Sequence, residues 1–380
     1  MRDKLPDETS FTSPLHSTRT AAILGVALGV AFTISFITGV VSHLHQNPQS
    51  WLELPARPAG LYRVTQSVHI ALGIATIPLL IAKLWTVFPL FFKRPAIGGV
   101  AHALERLSLF PLVGGAVFLL FTGTINIAYW YQPMTFFFTA GHYWAAWTTM
   151  GALIVHIGAK ASITRVALSR RAPDIVERSA GGLTRRGLIA TIGATAGALT
   201  LATVGQTLRP LRRLSVLAPR VPTQGPQGHP INQSYSTSGI AEEAVTDSEF
   251  VLVVEGAVAR PMRFTLDELR RLPQREAALP IQCVEGWSFS ARWRGVPVRD
   301  LLELAGADPG ASARVESLQP DSLYRSSPLN HSQAHDRDTL LALEIDGEPL
   351  ALDHGFPLRL IGPNRPGVQQ TKWVNRLVVL

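Results

Sequence analysis

Cysteine is all but missing: Cys283 is the only one among 380 residues, which excludes an internal disulfide framework and any zinc or iron-sulfur site built on several protein thiolates. Charge is sparse too, at 16% of residues, with 27 acidic side chains against 35 lysines and arginines. So few charges beside 47% hydrophobic residues argue against a purely soluble chain and for membrane spans joined to a soluble part. No basic-aromatic module accompanies the net charge of +8, so no nucleic-acid partner is expected.

What is present is apolar length. Five stretches, at about residues 20–41, 64–88, 107–128, 143–166 and 188–207, each hold about 20 residues, enough for an α-helix to cross a hydrocarbon core of roughly 30 Å. Basic residues crowd alternate connections. Arg2, Lys4 and Arg19 precede the first span; Lys93, Arg94 and Arg106 separate the second from the third; Arg165, Arg170, Arg171, Arg178, Arg185 and Arg186 lie between the fourth and fifth. The intervening connections hold only Arg57 and Arg63. The positive-inside bias predicts a multi-pass protein of the cytoplasmic (inner) membrane, surrounded by lipid, with its N-terminus in the cytoplasm and everything after the fifth span outside.

An ionisable side chain within a span is expensive and is a functional candidate by default. His142 and His156 lie fourteen residues apart on the fourth span. At about 100° and about 1.5 Å per residue, both rings share one face roughly 21 Å apart, a spacing that suits two stacked haems. Each iron needs a second imidazole. His69, one to two turns into the second span, is level with His142, and His16, just before the first span, reaches toward His156. His43 and His45, at the outer end of the first span, are rival outer ligands, and His102 reads as interfacial. Any one such ring can instead serve only to hydrogen-bond a neighbouring helix. With this pattern the first four spans, about residues 12–170, resemble the dihaem cytochrome b subunits of membrane oxidoreductases, of the b561-like and formate dehydrogenase gamma-subunit type. The resemblance implies a four-helix bundle (1–170) with two b haems that exchanges electrons with membrane quinone.

Residues 171–208 then form a cytoplasmic loop and the fifth span. Thr184, Arg185 and Arg186 precede its small-residue-rich apolar run. This reads as an ordinary membrane helix behind cytoplasmic arginines, or as a segment that resembles a twin-arginine export signal, the route for a domain loaded with its cofactor before crossing. Residues 209–240, rich in Pro, Gly, Gln and Arg without periodicity, read as a linker. From 241 to 380 short strands and helices alternate. FVLVVEGAV has strand character, FTLDELRRL starts at a Thr265 cap, VPVRDLLELAG ends in glycine, and LALEIDGEPL turns at Asp346-Gly347. The fold class expected is multi-domain, a transmembrane helical bundle plus a fifth helix followed by an α+β domain.

Cys283 falls in IQCVEGWSFSARWRG, after the apolar Leu-Pro-Ile and before Trp287, Phe289 and Trp293. A lone cysteine is commonly a small buried hydrophobe. Here Glu285, Arg292 and Arg294 stand close by in sequence, and positive charge favours a thiolate, a soft metal ligand. One thiolate cannot complete a metal site, so the remaining ligands have to arrive with a cofactor. CVEGW with its flanks, and DHGFPLRLIGPNRPGVQQTKWV about seventy residues later, resemble the sulfite oxidase family of molybdopterin enzymes. CVEGWSFSARWRGVPV is closest in kind to the periplasmic methionine sulfoxide reductase branch.

The resemblance implies that Cys283 binds molybdenum and that His354, Arg359 and Lys372 bind the pterin, with Glu285 grouped among the cofactor-binding residues. Charged donors suit a buried phosphate. Tyr324 matches the tyrosine beside the metal, and Arg325 next to it is either a substrate-oxygen contact or an ordinary surface arginine. His331 and His335 read as solvated. The arginine cluster that binds sulfite in true sulfite oxidases is not placed, and no immunoglobulin-like dimerisation domain is expected. The small oxo-acceptor or oxo-donor substrate is therefore left open, with sulfoxides suggested. A rival of another class is a membrane-anchored binding module that keeps the pterin fold without turnover.

Overall fold

The computed structural model describes residues 10–92, 99–169, 183–205, 209–218, 220–221, 223–245, 250–320 and 322–380. Arg2, Lys4, Lys93, Arg94, Arg170, Arg171 and Arg178, cited above for orientation, lie outside them, as does the side chain of His102. The described residues fall into two compact units. One lies within Met1–Val40, Val68–Gly205 and Leu211–Pro219, the other within Val41–Ser67, Gln206–Pro210 and Arg220–Leu380.

The first unit is built from most of α1 (Thr18–Gln46) and α2 (Leu61–Val87) and from α3 (Val100–Ile127), α4 (Phe138–Leu168) and α5 (Arg185–Val204). All five helices, α2 together with the short turn that follows it, are long and apolar enough to cross a membrane. Their outer faces leave Phe110, Trp144, Ile154, Val155 and Val166 exposed, a surface that demands apolar surroundings. Small residues let backbones approach: a Cβ at Gly115 of α3 would stand 2.1 Å from the Thr149 hydroxyl of α4. Thr184 caps α5, its hydroxyl accepting the Gly187 N–H at 3.1 Å.

The second unit holds two sheets. The first has strand order β2-β1-β10-β5-β6, from β1 (Val251–Gly256), β2 (Met262–Thr265), β5 (Ala313–Ser317), β6 (Ser326–Leu329) and β10 (Val374–Val379), with β1 and β10 parallel. The second runs β3-β4-β7-β8, from β3 (Arg275–Gln282), β4 (Ser288–Pro297), β7 (Leu340–Ile345) and β8 (Glu348–Pro349), and β9 (Arg359–Ile361) pairs with β7. Helices α6 (Leu266–Arg271), α7 (Val298–Ala305) and α8 (His331–Ala334) complete it. Thr265 and Glu268 form a capping box at α6. Along α7 the residues Val298, Leu301, Leu302 and Ala305, at i, i+3, i+4 and i+7, are all buried in the core between the sheets' strands.

Residues 209–240 do not form a linker throughout. Leu217 N–H donates to the Ala202 carbonyl at 2.8 Å, folding this part back on α5. From Arg220 onward the chain is a strap on the second unit: Gln227 Nε2 donates to the Pro349 carbonyl and the Tyr235 N–H to Asp353 Oδ1. A segment without periodicity satisfies its backbone on distant partners, which no local pattern announces.

Candidate functional site

β3 and β4 pair in continuous register from Arg275↔Gly295 to Gln282↔Ser288, so residues 283–287 are the turn of a hairpin. Within it the Cys283 N–H donates to the Trp287 carbonyl at 3.0 Å and the Gly286 N–H to the Cys283 carbonyl at 3.2 Å. Glu285 Oε2 accepts from Trp287 Nε1 at 2.9 Å and from Arg220 Nε at 3.2 Å, which ties the turn to the strap. The alternation of β4 turns Arg292 and Arg294 to solvent, where Arg294 meets Glu344 at 3.1 Å. The basic neighbour of the turn is thus Arg220, and the sequence-adjacent arginines are not neighbours of the thiol in space.

Cys283 is only 3% exposed and lines a cleft together with Ile281, Trp287, Phe289, Arg359, Gly367, Lys372 and Pro230, Ile231 and Asn232 of the strap. Burial, followed by the Glu285 carboxylate, pushes the thiol well above its ordinary range. A nearby metal cation is what would reverse that and ionise it. Among the described residues no cluster of three or more His, Cys, Asp or Glu could hold a metal ion, so the protein offers this site one sulfur.

Two basic side chains, Arg359 and Lys372, share the lining of the cleft, and a third, His354, lies beside Arg359. Arg359, on β9, is 6% exposed; its guanidinium donates to the His354 carbonyl at 2.9 Å and lies 5.3 Å from the Trp293 ring. His354 is fully buried, with Nε2 at 2.8 Å from the Pro226 carbonyl. Lys372 Nζ donates to the Asp353 carbonyl at 3.0 Å and to the Gln233 carbonyl. Gly355 makes this arrangement possible: it sits at φ 106°, where a side chain is strained, and a Cβ there would press within 2.9 Å of the Lys372 Cβ.

None of the three forms an ion pair with a carboxylate among the described residues, and Arg359 Nε and His354 Nδ1 are buried without a hydrogen-bond partner. Burial lowers Arg359 to about 9. Burial and then Arg359 lower Lys372 to about 7 and His354 to about 4. A buried anion is the partner such a set lacks, and these residues fit a phosphate-bearing cofactor.

The other candidates are placed as follows. Tyr324 lies in the turn between β5 and β6, 42% exposed, and burial followed by charge on Cys283 raises its hydroxyl. Arg325 is exposed, its guanidinium donating back to the Pro320 carbonyl at 3.3 Å. Glu285 is outside the cleft lining and engaged on Trp287 and Arg220. His331 is exposed, whereas His335 is half-buried with Nε2 at 3.1 Å from the Ala311 carbonyl, so only the first is solvated.

Within the helical unit the rings of His69 on α2 and His142 on α4 stand 6.1 Å apart. Two imidazoles on opposite sides of one iron, each about 2 Å from it, place their centroids on the order of 6 Å apart. His69 Nδ1 lies 2.8 Å from the Ser35 carbonyl and His142 Nδ1 3.0 Å from the Thr122 hydroxyl. Such bonds orient a ligating ring and leave Nε2 to the metal, so the pair fits a haem. His16 has its ring 4.3 Å from Trp85 and Nδ1 3.2 Å from the Thr86 carbonyl, and His156 is half-buried on α4. His45 is buried against Tyr62 at 5.3 Å, and His43 is half-buried.

Residues 239–380 match the family of oxidoreductase molybdopterin binding domains. The chain is 36% identical over 150 residues to the putative protein-methionine-sulfoxide reductase subunit YedZ1 of Azospira oryzae, covering 40% of this chain and 55% of that protein. It is 29% identical to the mitochondrial sulfite oxidase of Drosophila melanogaster, over 38% of this chain and 30% of the relative. It is 35% identical to the NADH nitrate reductase 2 of Phaseolus vulgaris, over 34% and 18%. A solved structure, the sulfane dehydrogenase SoxCD from Paracoccus pantotrophus, aligns with a TM-score of 0.32 at 25% identity, over 35% of this chain and 39% of that one. The chain spans about half, or less, of the length of these curated relatives. It carries a molybdopterin-binding oxidoreductase domain, preceded by five membrane-length helices.

Proposed function

We propose that the protein is a membrane-bound molybdopterin-dependent oxidoreductase in which electrons pass between membrane quinone, two b haems and an extracytoplasmic molybdenum site acting by oxygen-atom transfer on sulfoxides. The observation that carries this reading is the convergence on one cleft of the single buried thiol of Cys283 with Arg359 and Lys372, and with His354 buried beside Arg359. When bound, the cofactor supplies a redox-active metal able to exchange an oxygen atom with substrate. Cys283 gives that metal its protein sulfur, and Arg359, His354 and Lys372 hold the anionic end of the pterin. Trp287 and Phe289, stacked at 6.2 Å, keep water from the cleft wall. In this reading Tyr324 and Arg325 act on the substrate, and Glu285 acts on the cofactor turn through Trp287.

His69 with His142 and His16 with His156 are the two haem pairs of this reading. The first is supported by the 6.1 Å ring separation and by the bonds at both Nδ1 atoms. The N-terminus is cytoplasmic, the molybdenum domain is outside, and Thr184, Arg185 and Arg186 mark a twin-arginine export segment.

Cys283→Ser in the full-length protein tests the assignment. Expected are loss of sulfoxide turnover and a reduced-minus-oxidised spectrum that keeps its b-type α-band. Full turnover in that variant refutes the role of the thiol. Purified parent protein with neither molybdenum nor an α-band refutes the whole reading.

A further inference from the structure

Residues 47–60, which join α1 to α2, enter no step of the proposed function, yet Leu54, Pro55, Ala56, Arg57 and Ala59 are all bonded to residues of the molybdopterin-binding domain. Asn364 takes the segment and the start of α2 with three hydrogen bonds. Its backbone N–H donates to the Ala59 carbonyl at 2.9 Å, its Nδ2 to the Pro55 carbonyl at 2.7 Å, and its Oδ1 accepts the Tyr62 N–H at 2.8 Å. Asn364 is 2% exposed and sits at φ 53°, a left-handed conformation that asparagine tolerates better than most residues. Further bonds follow on both sides: Gln369 Nε2 to the Gln46 carbonyl, Asn330 Nδ2 to the Leu54 carbonyl, and the Ala56 N–H to Ser332 Oγ. Arg57 pairs with Asp336 at 2.8 Å and with Asp338.

The loop that Asn364 belongs to, residues 362–370, is also a wall of the cleft. Gly367 lines it, and a Cβ on Gly367 would stand 3.0 Å from the carbonyl oxygen of Gln282, the residue before Cys283. Arg365 stiffens the loop from within, donating to the Pro328 carbonyl at 3.0 Å, to Gln333 Oε1 at 2.7 Å and to the Gln369 carbonyl. The 362–370 loop thus meets the α1–α2 segment at Asn364 and, three residues on, approaches Gln282, the neighbour of Cys283, at Gly367. Close-packed interiors transmit displacement rather than absorb it.

We propose that Asn364 is a positioning residue for Cys283: it fastens the cleft wall to the α1–α2 segment and, through Gly367, sets where the thiol stands. This rests on the molybdenum role of Cys283. In full-length protein, Asn364→Gly keeps the left-handed backbone and removes both side-chain bonds, while Asn364→Asp keeps the acceptor for Tyr62 and removes the donor to Pro55. For Asn364→Gly, amide hydrogen exchange over residues 52–62 should quicken about ten-fold while molybdenum content is unchanged. The Mo(V) paramagnetic resonance signal should shift, and kcat for sulfoxide should fall about ten-fold with KM within about two-fold. Asn364→Asp should fall between parent and glycine variant. Unchanged exchange overturns the proposal, and so does faster exchange with an unchanged resonance signal and kcat, which would make the contact an anchor only. Because Cys283 is the sole cysteine, its modification rate by a neutral thiol reagent in cofactor-free protein gives a metal-independent reading, expected to rise about ten-fold in the glycine variant. Parent protein that binds no molybdenum would refute the functional reading, while an unchanged thiol rate would overturn the positioning role by itself.

Discussion

Arg359, His354 and Lys372 are basic groups held where burial disfavours their positive charge, an environment that a bound anion would relieve. It has a consequence for stability. In cofactor-free protein His354 takes up its proton near pH 4, whereas the unfolded chain does so near 6.5. The unfolded state therefore binds more protons between those values, and stability falls as pH falls from about 6.5 to about 4. His354→Gln should flatten this dependence, read as the pH profile of Tm in cofactor-free protein; a profile as steep as the parent's would remove His354 as its source. The residue scale is also where proximity in sequence misleads. Arg292 and Arg294 stand nine and eleven positions after Cys283, but the two-residue period of β4 turns both to solvent, whereas Arg220, more than sixty positions away, reaches Glu285 beside the thiol.

At the scale of elements, α7 illustrates how a short helix is held by its buried stripe. Leu301 is fully buried in the domain's larger hydrophobic core, and Leu301→Ala should cost about 2–5 kcal/mol, measured by denaturant unfolding followed through tryptophan fluorescence. A cost below about 1 kcal/mol would mean that the core around α7 collapses on the cavity. In the helical unit, α2 and α4 present His69 and His142 to each other, each fixed through Nδ1. His142→Ala should remove about one haem's share, roughly half, of the b-type absorbance, and His156→Ala a similar share. An unchanged spectrum in either variant would defeat the corresponding pair.

At the scale of the whole chain, the unit that carries the molybdopterin-binding domain also takes in Val41–Ser67. The strap from Arg220 covers the cleft and supplies Pro230, Ile231 and Asn232 to its lining, while the α1–α2 segment is fastened by Asn364. Under the proposed function the domain is loaded with its cofactor before it crosses the membrane, and folded-state export is the route that reading requires. Replacing Arg185 and Arg186 by lysine should therefore leave the domain on the cytoplasmic side, scored by its protection from protease added outside intact spheroplasts; normal export of a molybdenum-loaded domain would sink the signal reading.

Much of this was legible before any tertiary contact was known, because the signals are local. Span length follows from hydrocarbon thickness, the Thr265 cap from its own helix end, and the Asp346-Gly347 turn from residues that accept φ of 51° and 90°. The spacing of His142 and His156 is set by one helix alone. The lone Cys283 and the late HGFPLR segment are read through their resemblance to sulfite oxidase family motifs, which are contiguous in sequence. What the tertiary structure alone decided is where groups without local partners go. Tyr62 bonds Asn364 across 302 positions, and Gln227 reaches Pro349 across 122. Neither segment has a hydrophobic period, so each saturates its backbone on whatever the fold brings near, and only the packed chain specifies that.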